Sequence, residues 1–344
     1  MLPLRCLAAL AATVPSLAFQ PALSTAARRR ALSSRAHAFD AKNMALFPGQ
    51  GAQYVGMGAE IAEELPAAKA LFDTASEILG YDLLATCAGP KEKLDTTAVS
   101  QPAIFVASMA AVEKLRSEAG DAAVDGITAA MGLSLGEYSA LCFAGALSFE
   151  DGVRITKVRG EAMQAAADLV DSSMVSVIGL DEAKCTALCE AASADSKGSV
   201  RMANLLCKGN YAVSGDTDAC AKLMEIAKPD FGARMTIKLA VAGAFHTDLM
   251  APAVGALEAA LEAADISAPR IPVISNVNAL PHTDPAAIKA QLAKQVTAPV
   301  LWEKSFLSAI ASGYEIGYEL GPGKVIAGIA KRIDKTAVVE AVSV

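Results

Sequence analysis

The sequence predicts an α/β protein in which one mainly parallel sheet is interrupted by a smaller unit with a different rhythm. Three observations predict it. Short apolar runs at 44–48 and 127–132 end at glycines, and helical patterns alternate with them, as in a parallel sheet. Residues 173–240 follow another order, strand–helix–strand–strand–helix–strand. Beyond 240 the first alternation resumes.

The elements follow in chain order. Residues 44–48 are a short buried strand that ends at a glycine-rich loop, Gly49-Gln50-Gly51-Ala52-Gln53. A second strand covers 127–132, and helical patterns cover 136–143 and 149–169. A strand at 174–178 precedes Asp181, the N-cap of a helix through Ala192. Strands at 200–206 and 211–214 are joined by Lys208-Gly209-Asn210, a hairpin signal. Asp216 caps a helix at 217–227, and 234–239 is the last strand of this unit. That order, βαββαβ, is the ferredoxin-like unit. Strands at 272–276 and 315–319 follow, with helices at 284–295, 302–312 and 325–332. The expected division is a targeting presequence at 1–39, an α/β domain formed by 40–170 and 241–344, and an inserted ferredoxin-like subdomain at 171–240.

The 344 residues are 53% apolar and 19% charged, enough for a large core and too apolar for disorder. Seven cysteines with no CxxC pair exclude a disulfide scaffold and give a zinc cluster no support. Cys185 and Cys189, one helical turn apart, read as thiols in a reducing compartment. No run of eighteen apolar residues lies beyond the first twenty positions, so no transmembrane helix is expected.

No acid precedes Asp40, whereas Arg5, Arg28, Arg29, Arg30 and Arg35 stand among alanines and serines. That is the composition of a removable targeting segment. Its Ala18-Phe19-Gln20-Pro21 junction resembles the bipartite presequences of algae with complex plastids. The resemblance implies a plastid (chloroplast stroma) destination, with the mitochondrion as the alternative. Without residues 1–39 the chain keeps 25 basic and 37 acidic residues, a net charge of −12. Nucleic acid and anionic membrane are poor general partners for such a chain.

Gly132-Leu133-Ser134-Leu135-Gly136 matches the G-x-S-x-G nucleophile elbow. A sharp strand-to-helix turn needs residues without bulk on both sides, and it presents the serine hydroxyl beside a free backbone N–H. The alternative is a glycine-flanked turn with a solvated serine. A serine nucleophile needs a base, and beyond the presequence only His246 and His282 are available. His282 lies in a turn, Pro281-His282-Thr283-Asp284-Pro285, and reads as solvated. His246 follows the last strand of the inserted unit and is the better-placed candidate, against a packed or surface histidine as the alternative. Arg159 lies on the helix after the elbow, where it either grips a carboxylate or sits exposed beside Glu161 or Asp151.

Five segments together resemble one family. Phe47-Pro48-Gly49-Gln50-Gly51-Ala52-Gln53, Gly132-Leu133-Ser134-Leu135-Gly136-Glu137-Tyr138, Val158-Arg159-Gly160-Glu161-Ala162-Met163-Gln164, Gly243-Ala244-Phe245-His246 and Gln295-Val296-Thr297-Ala298-Pro299-Val300 occur in the order of malonyl-CoA:acyl-carrier-protein transacylases. The resemblance implies an α/β-hydrolase-like domain with a ferredoxin-like insertion. It also implies malonyl transfer from malonyl-CoA to the phosphopantetheine thiol of acyl carrier protein, in two half-reactions through an ester on Ser134. It assigns His246 as base, the backbone N–H groups of Gln50 and Leu135 as oxyanion hole, Arg159 to the malonyl carboxylate, and the backbone carbonyl of Gln295 to orienting His246. Met163 and Phe245 are candidate pocket walls or core residues, and Asn204 is a candidate substrate contact. Lys208, Lys238, Lys324, Lys331 and Arg332 are candidates for carrier docking. No metal or redox cofactor is implied, and a monomer is expected. Leu133 stands where many bacterial members have histidine. A serine thioesterase is the alternative function.

Overall fold

The computed structural model describes residues 39–344; the expected presequence, apart from Phe39, lies outside the described residues. Five strands form a parallel sheet: β1 (Asn43–Phe47), β2 (Ala129–Gly132), β7 (Val273–Ile274), β8 (Ile316–Leu320) and β9 (Val339–Val342), in the order β7-β2-β1-β8-β9. Met44 to Phe47 of β1 and all of β2 are buried. Strands of a parallel sheet are covered on both faces, which is why they read as continuous apolar runs. The order begins at the centre: β1 pairs with β2 and β8, with Phe47 opposite Gly132. The carboxyl ends of β1 and β2 thereby meet, and the glycine-rich loop and the elbow leave the sheet side by side.

Helix Thr97–Ala119 is buried on nearly every side and packs against helix Phe149–Asp168. Two glycines allow their close approach. A Cβ on Gly152 would lie 2.1 Å from the Phe105 ring, and one on Gly160 would lie 2.7 Å from the Thr97 carbonyl. Helix Ala251–Ala263 covers the other side of Phe149–Asp168.

The second sheet is antiparallel and contains β3 (Ser172–Ile178), β4 (Val200–Cys207), β5 (Asn210–Asp216) and β6 (Met235–Lys238), in the order β4-β5-β3-β6. Alternate residues serve two cores. Val175, Val177 and Val213 pack among residues of helices Glu182–Ala194 and Thr217–Ala227, whereas Met174, Ala203 and Ala212 join the main core. The β4 edge is also tied to the main body, since Leu205 N–H donates to the Val300 carbonyl and Val300 N–H to that of Ala203, at 2.9 and 2.8 Å.

Two expectations need correction. Asp216 stands at the N-cap of Thr217–Ala227 but makes no side-chain cap bond; its carboxylate accepts from Ser199 N–H, a competing donor across the sheet edge. The strand expected at 272–276 is only Val273–Ile274, because Ser275 and Asn276 turn away to bond other groups. The six helices between Ala59 and Asp125, helix Ala251–Ala263 and strand β9 were not legible in the pattern.

Gly160→Ala is expected to destabilise the protein by about 1–3 kcal/mol, since the added methyl meets backbone rather than a flexible side chain. Denaturant titration checks it; an unchanged midpoint contradicts the packing account.

Candidate active site

Sterics make the elbow. A Cβ on Gly132 would lie 1.9 Å from the Gly136 carbonyl group, and one on Gly136 would lie 2.2 Å from the Phe47 oxygen. With bulk excluded on both sides, Ser134 takes a left-handed backbone, φ 52°, uncommon for a residue with a side chain. Helix Gly136–Phe143 starts directly behind it.

Ser134 Oγ lies 2.9 Å from His246 Nε2, and His246 Nδ1 lies 2.8 Å from the backbone oxygen of Gln295. A carbonyl only accepts, so Nδ1 carries the proton and Nε2 presents a lone pair to the serine hydroxyl. Burial first, and the charge of Arg159 second, push the His246 imidazole down to about 4. It is therefore neutral, and a base, at ordinary pH.

Arg159 is not the exposed helix residue of the alternative reading; it is 1% exposed, and Asp151 pairs with Arg154 instead. Its Nη1 donates to Gln101 Oε1 at 2.7 Å, and its Nη2 donates to Gln295 Oε1 at 3.0 Å and Ser134 Oγ at 3.1 Å. The guanidinium lies 5.3 Å from the centre of the Tyr138 ring. Among the described residues no carboxylate is hydrogen-bonded to it, and its Nε has no partner. Burial lowers its pKa, yet a guanidinium stays charged.

These groups line a cavity of about 90 Å³, walled also by Gln50, Leu133, Leu135, Met163, Asn204, Phe245 and Val241. Among the described residues the backbone N–H groups of Gln50 and Leu135 donate to no other protein group. Met163 and Phe245 belong to the core and to the cavity wall at once. The Oδ1 of Asn204 is buried without a partner. Leu133 presents an apolar neighbour beside the nucleophile. Lys208, Lys238, Lys324, Lys331 and Arg332 are all exposed and none lines the cavity; Lys238 directly precedes Leu239, which does.

Three comparisons bear on this geometry. Residues 45–341 match the acyl transferase domain family. The chain is 40% identical over 301 residues to the malonyl CoA-acyl carrier protein transacylase of Bacillus subtilis, covering 87% of this chain and 92% of the relative. It is 40% identical to the mitochondrial malonyl-CoA-acyl carrier protein transacylase of Homo sapiens, covering 85% of this chain and 77% of that one.

The chain belongs to the malonyl-CoA-acyl carrier protein transacylase family.

A solved member of the transacylase family, from Coxiella burnetii, superposes with a TM-score of 0.83 at 34% identity, covering 89% of this chain and 94% of that one. A malonyl-transacylase solved in complex with a type II PKS acyl-carrier protein superposes at 0.81 and 33% identity, covering 87% and 95%. The α/β-hydrolase-like fold with a second antiparallel sheet is thus shared with known members of the transacylase family. Among the described residues no group of His, Cys, Asp and Glu could hold a metal, and no helix is long and apolar enough to cross a membrane.

Three residues of this family member's site, Gln101, Asn276 and Glu137, were not singled out in the sequence, and a fourth, His282, was read as solvated. Gln101 is held between Arg159 and the Met163 sulfur. Asn276 accepts from Ser134 N–H at 2.7 Å and donates to the Gly132 carbonyl at 2.7 Å. Glu137 accepts from Gln295 Nε2 at 2.6 Å and from Asn276 N–H at 3.1 Å. His282, read as solvated, is buried with Nε2 2.7 Å from Glu137 Oε1. The turn around it is folded inward by the bridge between Ile274 and Pro281 and by the bond from its own N–H to Val273. Glu137 carried a signal, an acid in the first helical turn; the other three carried none.

Because His246 is neutral until about pH 4, labelling of Ser134 by a fluorophosphonate is expected to stay level from pH 8 down to about 5 and to halve near 4. A midpoint near the free-imidazole value of 6.5 contradicts the buried, charge-depressed base.

Proposed function

We propose that the protein transfers the malonyl group of malonyl-CoA to the phosphopantetheine thiol of acyl carrier protein, supplying fatty-acid synthesis. One observation carries the reading: a fully buried guanidinium without a carboxylate partner faces the same small cavity as the serine and its base. A buried charge left unpaired is costly, and a malonyl carboxylate would neutralise it with a two-pronged hydrogen bond. About 90 Å³ suits a short acyl group rather than a long chain.

The chemistry follows from the distances. His246 Nε2 takes the Ser134 proton as Oγ attacks the thioester carbon. The oxyanion that forms is held by the N–H groups of Gln50 and Leu135. Collapse breaks the C–S bond, and the imidazolium returns its proton to the departing CoA thiolate, leaving a malonyl ester on Ser134. The carrier thiol then reverses the sequence: it loses its proton to His246, attacks the ester, and Ser134 leaves with that proton. The Gln295 carbonyl holds the imidazolium in both halves. A thioesterase must admit water and has no use for a buried guanidinium, so nothing here favours that reading. Residues 1–39 are proposed to direct the chain to a plastid; a mitochondrial destination is the alternative, since the human relative is mitochondrial.

Arg159→Ala tests the assignment. Malonyl transfer is expected to fall by about 10²-fold or more, the scale of a broken buried ion pair, while transfer from acetyl-CoA does not fall. Steady-state rates with both thioesters check it; unimpaired malonyl transfer removes Arg159 from the site.

A further inference from the structure

The side chain of Glu137 does not line the cavity and is hydrogen-bonded to none of Ser134, His246 and Arg159, acting on Arg159 only through its charge. It is nevertheless bonded to both residues that clamp the elbow. Gln295 Nε2 is 2.6 Å and Asn276 N–H 3.1 Å from its Oε2, and His282 Nε2 is 2.7 Å from its Oε1. All four residues are buried, and Glu137 is completely so.

The chemistry of these partners is directional. A carboxylate only accepts. It forces the NH₂ end of the Gln295 amide toward Glu137 and to the Ser134 carbonyl, 3.0 Å away. Gln295 Oε1 must then face the other way, where it receives Arg159. A flipped amide would set oxygen against carboxylate and NH₂ against guanidinium. The backbone oxygen of that same Gln295 holds His246 Nδ1. The other arm runs through Asn276, which grips Ser134 N–H and the Gly132 carbonyl. One carboxylate therefore sets the base, the guanidinium and the nucleophile relative to one another.

We propose that Glu137, held by His282, is a positioning residue for acyl transfer that acts through Gln295 and Asn276; the proposal rests on the transfer reading above. Glu137→Leu removes every acceptor. Glu137→Gln keeps the one acceptor that Gln295 and Asn276 share, and its NH₂ donates to His282 Nε2 once that ring carries its proton on Nδ1.

The test measures single-turnover acylation of Ser134 by malonyl-CoA and labelling of Ser134 by a fluorophosphonate, both per folded molecule, with melting temperatures alongside. Glu137→Leu is expected to slow both by at least tenfold, toward the roughly 10²-fold that a displacement of order 1 Å costs. Glu137→Gln is expected to recover both to within about threefold of wild type. A lower melting temperature with unchanged rates per folded molecule would mean a purely structural role and overturn the proposal. Equal loss in the Gln and Leu variants would overturn it as well. If Glu137→Leu does not fold, His282→Leu replaces it, with a several-fold loss expected and no loss contradicting. Wild type that takes the fluorophosphonate but not malonyl-CoA would defeat the transfer reading, and the labelling comparison would still decide the role of Glu137.

Discussion

A positive charge buried beside a nucleophile, with no carboxylate bonded to it, is the constraint on which the rest of this structure depends. Arg159 keeps its charge in surroundings that penalise it, and only neutral oxygens of Gln101, Gln295 and Ser134 receive its N–H groups. Such an arrangement is stable enough to fold yet holds affinity in reserve for an anion. Burial and, after it, the same charge keep His246 neutral.

Holding that charge in register requires a stiff frame, and sterics supply it. The carboxyl ends of β1 and β2 lie adjacent, and Gly132 and Gly136 leave no room for any side chain between elbow and sheet. The helix that carries Arg159 is pressed against Thr97–Ala119 through Gly152 and Gly160, next to the arginine. From the other side the antiparallel sheet closes the cavity with Met174 and Asn204, and β4 is pinned by Val300. His246 arrives on the segment that links the two sheets, with its own left-handed backbone, φ 62°.

Much of this was legible in the sequence, and the pattern of what was not is physical. Parallel strands buried on both faces, a G-x-S-x-G turn and an N-cap residue such as Asp181 are local signals, and they mark elements found within a few residues of expectation. Ser134 lies on such a signal, His246 was one of two histidines available, Arg159 drew its expected role from the family resemblance, and the three meet in space. Asn276 and His282 do not: each matters through Glu137 or Ser134, some 140 positions away, and nothing nearby announces it. His282 in particular sits among turn-forming residues that ordinarily mean solvent, and only the inward fold of that turn buries it. Asp216 illustrates the converse, a residue of capping type whose carboxylate a distant N–H claims first.

The central claim is that Ser134 carries the acyl group between two thiols. Intact-mass spectrometry of the protein mixed with malonyl-CoA, and then with phosphopantetheinylated carrier protein, tests it most directly. The account predicts a malonyl adduct that is absent from Ser134→Ala and passes to the carrier when the carrier is added. No adduct, an adduct that persists in Ser134→Ala, or one lost to water with the carrier left unmodified would contradict it.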